Sequence, residues 1–318
     1  MKNISYIFMV LLGGAMYGTM SSFVKLSYSW GYHAAEIAFS QAALAALFLS
    51  VYTLATRKNS KRNFTRRDLL SLLLTGSAIG LTNFLYYQSV HYISASLAIV
   101  ILMQFTWFSI LLEWVLFTKK PSRLELITVF FILIGTVMAG NLFHTEAWRF
   151  SMKGILLSLF ASLTYAVYIV ANGRVGKCVR WQSKSSLIMV GSALTIFLIN
   201  QKEIVTNNHF GGEFLLWALF LAIVGTTIPT ALFAAGIPRI GAGLASILMT
   251  VELPVAVICA WAVLREKMNP IQIAGIIIML AAISAMNYYK SIIKNHPGIL
   301  KSLGDLLETN TWLHSLLK

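Results

Sequence analysis

Ser246–Lys267 reads SILMTVELPVAVICAWAVLREK, an apolar run with a carboxylate, Glu252, and a helix breaker, Pro254, near its middle. Its length suits a helix crossing ~30 Å of hydrocarbon. A charge at the centre of such a helix costs ~2.5–3.5 kcal/mol on the insertion scale, so Glu252 must face protein or water. Pro254 removes one backbone donor and frees a carbonyl about a turn earlier, near Thr250. The pair predicts a bend that turns polar groups inward.

The rest of the chain supports lipid as the surrounding solvent. Of 318 residues, 58% are hydrophobic and 11% charged, where soluble domains approach a quarter charged. The apolar residues gather into about ten long stretches. Helix is the spanning form they predict, because each backbone N–H and C=O must find its partner within the segment. The ten-residue alternation of a membrane β-barrel is absent. The net charge of +14 resides mostly in short loops, which suits lipid headgroups and excludes a nucleic-acid partner as the first expectation. Cys178 and Cys259 show no ligand spacing and read as a loop thiol and a packed helix residue.

The predicted spans are 4–26, 34–55, 69–90, 94–117, 124–142, 153–173, 185–200, 213–235, 241–264 and 270–289. The first is too long for a signal-peptide core and lacks a clear cleavage site. An even number of crossings puts both termini on one side. The loops RKNSKRNFTRRD, KKPSR and GRVGKCVRWQSK carry six, three and four basic residues and fall on that side. With Arg239, Lys2 and the tail lysines, 19 of the 25 Lys and Arg lie there. The positive-inside rule makes that face cytoplasmic. The expected location is the cell (inner) membrane, multi-pass, with both termini in the cytoplasm. Residues 291–318 form a cytoplasmic tail that reads equally well as an amphipathic helix on the inner leaflet.

The chain also resembles itself. A shift of 147 lays ISASLAIVILMQFTWFSILLEWVLFTKKPSRLELI on IGAGLASILMTVELPVAVICAWAVLREKMNPIQIA, matching Ile93 with Ile240 and Trp114 with Trp261. A shift of 148 separately pairs Tyr17 with Tyr165. A unit of five helices crosses an odd number of times, so its second copy enters from the opposite face. The expectation is an all-α membrane protein of ten transmembrane helices in two inverted five-helix repeats, residues 1–142 and 143–290, with a midplane site at their seam. The small-residue SASLA and GAGLASIL segments, VELPV and LREKMNPIQIAGIIIMLAAI together resemble the EamA-type branch of the drug/metabolite transporter superfamily. That resemblance implies a carrier in which helices one to four and six to nine surround a cavity, with five and ten outside. Span four departs from the pattern, carrying MQFTWFSILLEW where a Glu or Pro often stands.

Candidate substrate-binding residues follow from polarity at helical spacing. Glu252 receives a cation, a proton or an amino group, or braces a neighbouring helix at the bend with Pro254. Gln104 and Trp107 share a face of span four and would clasp a substrate with polar and apolar parts, or simply pack. Asn83 and Tyr87 stand one turn apart in span three, and the 147 shift places Asn83 on Thr230 beside Pro229. Tyr17 in span one is answered by Tyr165, Tyr168 and Asn172 in span six; their hydroxyls need partners or water. Lys25 and Glu36 flank the first outer loop and are expected near the extracellular mouth, as a gating pair or as a snorkelling lysine beside an unrelated acid. Glu113, beside Trp114, is expected to reach the cytoplasmic rim and is not taken as a site residue.

No phosphate loop, zinc motif or nucleophile elbow is present, so no cofactor, metal or catalytic residue is expected. The expected function is a secondary transporter of small organic metabolites, with amino acids or related amphiphiles as exports implied by the resemblance. Protons as coupling ions and a homodimer stay open. Efflux of cationic or aromatic drugs, and a non-transporting sensor, are the alternatives.

Overall fold

The computed structural model describes residues 2–56, 65–93, 95–139, 151–206, 209–265 and 268–295. These residues are folded into helices joined by short connections. They are α1 (Lys2–Ser29), α2 (Ala34–Ala55), α3 (Arg66–Tyr92), α4 (Ala95–Leu102), α5 (Phe105–Phe117), α6 (Arg123–Ala139) and α7 (Met152–Arg174). Beyond them come α8 (Trp181–Ile199), α9 (Gln201–Thr206), α10 (Gly212–Ala222), α11 (Ile228–Ile240), α12 (Ala242–Met249), α13 (Glu252–Leu264) and α14 (Pro270–Asn295). A π-helical turn, Ile223–Thr227, joins α10 to α11. Most of the basic loop after α2, and the expected tail helix beyond residue 295, lie outside the described residues.

Eight helical stretches among the described residues are long and apolar enough to cross a bilayer. The apolar part of α14, Pro270–Met286, is shorter, and α6 has 17 residues. Their outer surfaces carry large apolar side chains, such as Leu126, Ile127, Phe130 and Phe131 on α6. Packing inward is tight where side chains are small. Gly76 of α3 abuts the Ile188 carbonyl of α8, and Gly191 of α8 abuts Leu73 of α3. Gly135 of α6 and Gly275 of α14 meet backbone to backbone. Lipid supplies no hydrophobic drive between helices, so such close backbone approach is what joins them. Gly76→Leu would force a side chain into the α8 backbone. We expect it to lower the thermal midpoint in detergent, by about 1–3 kcal/mol of stability. Gly212→Ala, with open space around its Cβ position, is the neutral control.

Two spans expected to be single helices are broken. Span nine interrupts at Thr250–Val251, immediately before Glu252, as the proline suggested. Span four, expected to run unbroken over 94–117, interrupts at Met103–Gln104. The two breaks are 147 residues apart, yet only the second has a proline. In span four, side chains do the work: Thr106 Oγ1 donates to the Met103 carbonyl at 2.9 Å and Gln104 Nε2 to the Val100 carbonyl at 3.3 Å. In span nine, the Thr250 carbonyl, the natural acceptor for the N–H that Pro254 lacks, is taken by Leu253 N at 3.2 Å.

The same spacing recurs downstream. The two non-glycine residues with positive φ among the described residues, Thr118 (54°) and Arg265 (56°), are 147 apart and cap α5 and α13. Ser122 and Glu125 cap α6 by exchanging backbone and side-chain bonds of 3.0 and 3.2 Å. At the corresponding position Gln272 Oε1 accepts from Asn269 N at 2.9 Å at the start of α14. Packing obeys the same symmetry. α1 lies on α11 and on α12–α13, as α7 lies on α3 and on α4–α5; α2 faces α8, and α6 faces α14 at the edge of the bundle.

A candidate substrate site at the paired helix breaks

Glu252 begins α13 and is 5% exposed. Gly18 of α1 sits so close to the Glu252 carbonyl that a Cβ there would overlap it, and Gly14 packs on Met249 and Val251. The bare stripe on α1 therefore lets a neighbouring helix close over the break. From the other side, the Tyr165 hydroxyl of α7 donates to Glu252 Oε2 at 3.4 Å. Tyr165 stacks between Tyr17 of α1 (6.3 Å, 23°) and Tyr168 of α7 (6.2 Å, 15°). Phe105, the residue 147 before Glu252, packs on Tyr165 at 4.6 Å. Phe233 of α11 closes on Tyr17 at 5.8 Å, and Asn83 of α3 is within hydrogen-bonding reach of the Tyr17 hydroxyl.

The result is one carboxyl in a bowl of rings, drawn from α1, α3, α5, α7, α11 and α13. A carboxyl faced by aromatic surfaces can hold a cationic or amino group from two sides, by charge and by ring quadrupole. It can also carry a proton. Buried atoms without partners mark the same neighbourhood: the Tyr86 hydroxyl and Asn172 Oδ1. Asn172 Nδ2 donates to the Tyr168 hydroxyl at 3.2 Å.

Of the residues singled out in the sequence, Tyr17, Asn83, Tyr165, Tyr168 and Glu252 are brought together, with Pro254 within the first turn of α13. Tyr87 instead donates to Gln41 Oε1 of α2 at 3.1 Å, an oxygen that also receives Thr226 Oγ1 at 3.3 Å. Gln104 and Trp107 hold each other, indole Nε1 to Oε1 at 2.7 Å. The Thr230 hydroxyl points to Met189 Sδ of α8 at 3.8 Å. Tyr86, Phe105 and Phe233 were passed over. Tyr86 is one helical step from Asn83, and Phe105 is the repeat partner of Glu252, so both signals were in the sequence.

Two carboxylates tie the halves together away from this centre. Glu113 Oε1 meets Arg174 at 2.9 Å, and Oε2 meets Lys119 at 3.0 Å and the Gly243 N–H at 3.0 Å. It joins the ends of α5 and α7 to the start of α12. Glu36 accepts the His33 N–H at 2.6 Å and the His209 N–H at 2.9 Å, with the His209 ring at 3.2 Å. Lys25 of the expected gating pair is exposed on α1.

An all-helical bundle with a lipid-facing exterior and a polar seam between two broken helices has the build of a membrane transporter. The chain belongs to the EamA-like transporter family, which residues 4–140 and 152–288 match separately. It is 27% identical to an uncharacterized transporter, sll1319, of Synechocystis over 66% of this chain and 65% of that protein. It is 23% identical to the uncharacterized transporter YcbK of Bacillus subtilis over 88% of this chain and 92% of that one. It is also 24% identical to the threonine/homoserine exporter RhtA of Escherichia coli, over 75% and 79% respectively. A solved crystal structure aligns with a TM-score of 0.73 at 13% identity, covering 89% of this chain and 96% of its own, and so shares the fold. The protein is a multi-pass membrane transporter; its family implies a small-molecule substrate and a lipid surround.

Proposed function

We propose that the protein is a secondary transporter of the cell membrane that exports amino acids or related small amphiphiles by alternating access. In this reading the chain crosses ten times, as two inverted five-helix repeats with both termini in the cytoplasm. The exchange of packing partners between the halves, α1 on α11 and α7 on α3, supports a pseudo-two-fold axis in the membrane plane. The observation that carries the proposal is the contact of Glu252 with Tyr165, where a carboxyl from one broken helix meets a stacked tyrosine at the seam. A zwitterion fits there with its ammonium on Glu252 and its apolar part on the rings. The relative named as a threonine/homoserine exporter supports that class of substrate.

The same bowl suits an aromatic or quaternary cation, which supports drug efflux as the second reading. Reconstituted vesicles separate the two. Labelled threonine or homoserine is expected to move faster than in protein-free vesicles, and competition by a quaternary ammonium dye is expected to be weak. Uptake of the dye with no movement of either amino acid would favour the second reading over the first.

A further inference from the structure

A cavity of about 350 Å³ lies apart from the Glu252 cluster, between the start of α1, the turn from α7 to α8, and the end of α11. Its volume is within the ~300–1,000 Å³ of ligand pockets. Lys177, Arg180, Lys184 and Arg239 line it together with Tyr6 and Trp181, and among the described residues no acidic side chain does. The loop bias that places basic residues on one face explains their side of the membrane, not their convergence on one hollow.

Lys184 is the telling member. It is 1% exposed, and its ammonium donates to the carbonyls of Asn172 and, at 3.0 Å, Val175. Those bonds cap the end of α7 with a cation, a favourable use of its dipole. They do not neutralise the charge, and among the described residues no carboxylate pairs with it. Burial without a counter-charge disfavours the charged form of this amine, and an anion arriving beside it would favour that form again. Arg180 holds the Thr56 carbonyl at 3.1 Å, and Arg239 lies 5.7 Å over the Tyr6 ring. Both guanidiniums are thereby fixed at the rim, leaving their forks suited to two-pronged contact with oxyanions.

We propose that this cavity is an oxyanion site, with Lys184 as its floor and Lys177, Arg180 and Arg239 as its rim. The ligand chemistry is a phosphate or carboxylate group small enough for the hollow, with Tyr6 and Trp181 receiving the apolar part attached to it. Such a group comes either from an anionic lipid of the adjoining leaflet or from a dissolved metabolite.

Purified full-length protein in a neutral detergent, titrated with short-chain phosphatidylglycerol in one arm and inorganic phosphate or acetate in the other, tests this by thermal unfolding. One arm is expected to raise the wild-type midpoint saturably, with short-chain phosphatidylcholine inert. The arm that responds identifies the source. Arg180→Gln combined with Arg239→Gln, at exposed positions that leave the fold intact, is expected to weaken that response by about tenfold for each charge removed. Lys184→Met is expected to abolish it if the variant folds. Equal responses of wild type and double variant, or no saturable response in either arm, overturn the proposal. The readout is binding without transport, so its failure leaves the exporter reading standing, and failure of that reading leaves this one.

Discussion

If a proton gradient drives the proposed export through Glu252, vesicles reconstituted with Glu252→Gln are expected to lose accumulation driven by a pH gradient, down to the protein-free background. Exchange of the same solute down its own gradient is expected to persist at a weakened apparent affinity, because Gln no longer offers the ammonium a charge. The substitution is isosteric. Gln keeps an oxygen to accept from Tyr165, whose hydroxyl lies 3.4 Å from the native carboxyl, and leaves the backbone at Gly18 untouched. What it cannot do is bind and release a proton. Glu252 is 5% exposed, and among the described residues the neighbouring rings supply no other carboxyl that would take its place. Tyr165→Phe is the milder companion: it keeps the stack with Tyr17 and Tyr168 and removes a single hydrogen bond, for which about a tenfold loss of apparent affinity is the upper expectation. Full gradient-driven transport by Glu252→Gln would remove this carboxyl from the coupling step. Loss of both accumulation and exchange would show that binding at this carboxyl is indispensable and would leave the proton to another group.

That residue was legible because a carboxylate in an apolar run has few physical excuses. Most of the fold was legible for the same reason: lipid forces long apolar helices, and the shift of 147 residues that aligned the halves also separates the two breaks, the two left-handed caps at Thr118 and Arg265, and the capping pairs at Ser122 and Asn269. The break in span four was missed because the bend was assigned to a proline. Without one, Gln104 and Thr106 satisfy the loosened backbone while Trp107 holds the Gln104 side chain, a task that leaves no pattern distinct from an ordinary polar helix face. Thr230 shows a different limit. A π-helical turn at Ile223–Thr227 precedes it, and such a turn shifts the helical phase relative to a continuous α-helix. Phase counted along the sequence cannot include that turn, and the structure directs Thr230 to Met189. Glu113 escaped because a rim carboxylate looks solvated until its partners, 61 and 130 residues away, fold against it.

Glu113 carries the second large expectation. In the proposed alternating-access reading, opening a path from the central site to the face assigned to the cytoplasm would part the ends of α5 and α7 from the start of α12, and Glu113 holds all three. Glu36, with His209 against its carboxylate, spans the halves at the opposite end. Glu113→Ala leaves Arg174, Lys119 and the Gly243 N–H without their shared acceptor. Breaking a buried pair costs about 3–5 kcal/mol; here Arg174 is 31% and Lys119 47% exposed, so ~2 kcal/mol is the better figure, after solvent screening. If that energy belongs to the closed state of this end, the open population rises roughly thirtyfold. A single reporter thiol, Ser246→Cys, placed one turn beyond Gly243 where the native side chain is 0% exposed, reads this directly in a chain with Cys178 and Cys259 changed to Ser. Its modification by an impermeant thiol reagent applied at the cytoplasmic face is expected to accelerate at least tenfold in Glu113→Ala, with Glu113→Gln between the two. An unchanged rate together with a lowered thermal midpoint would make the carboxylate a brace of the fold, and the closed end of the pathway would have to be sought elsewhere.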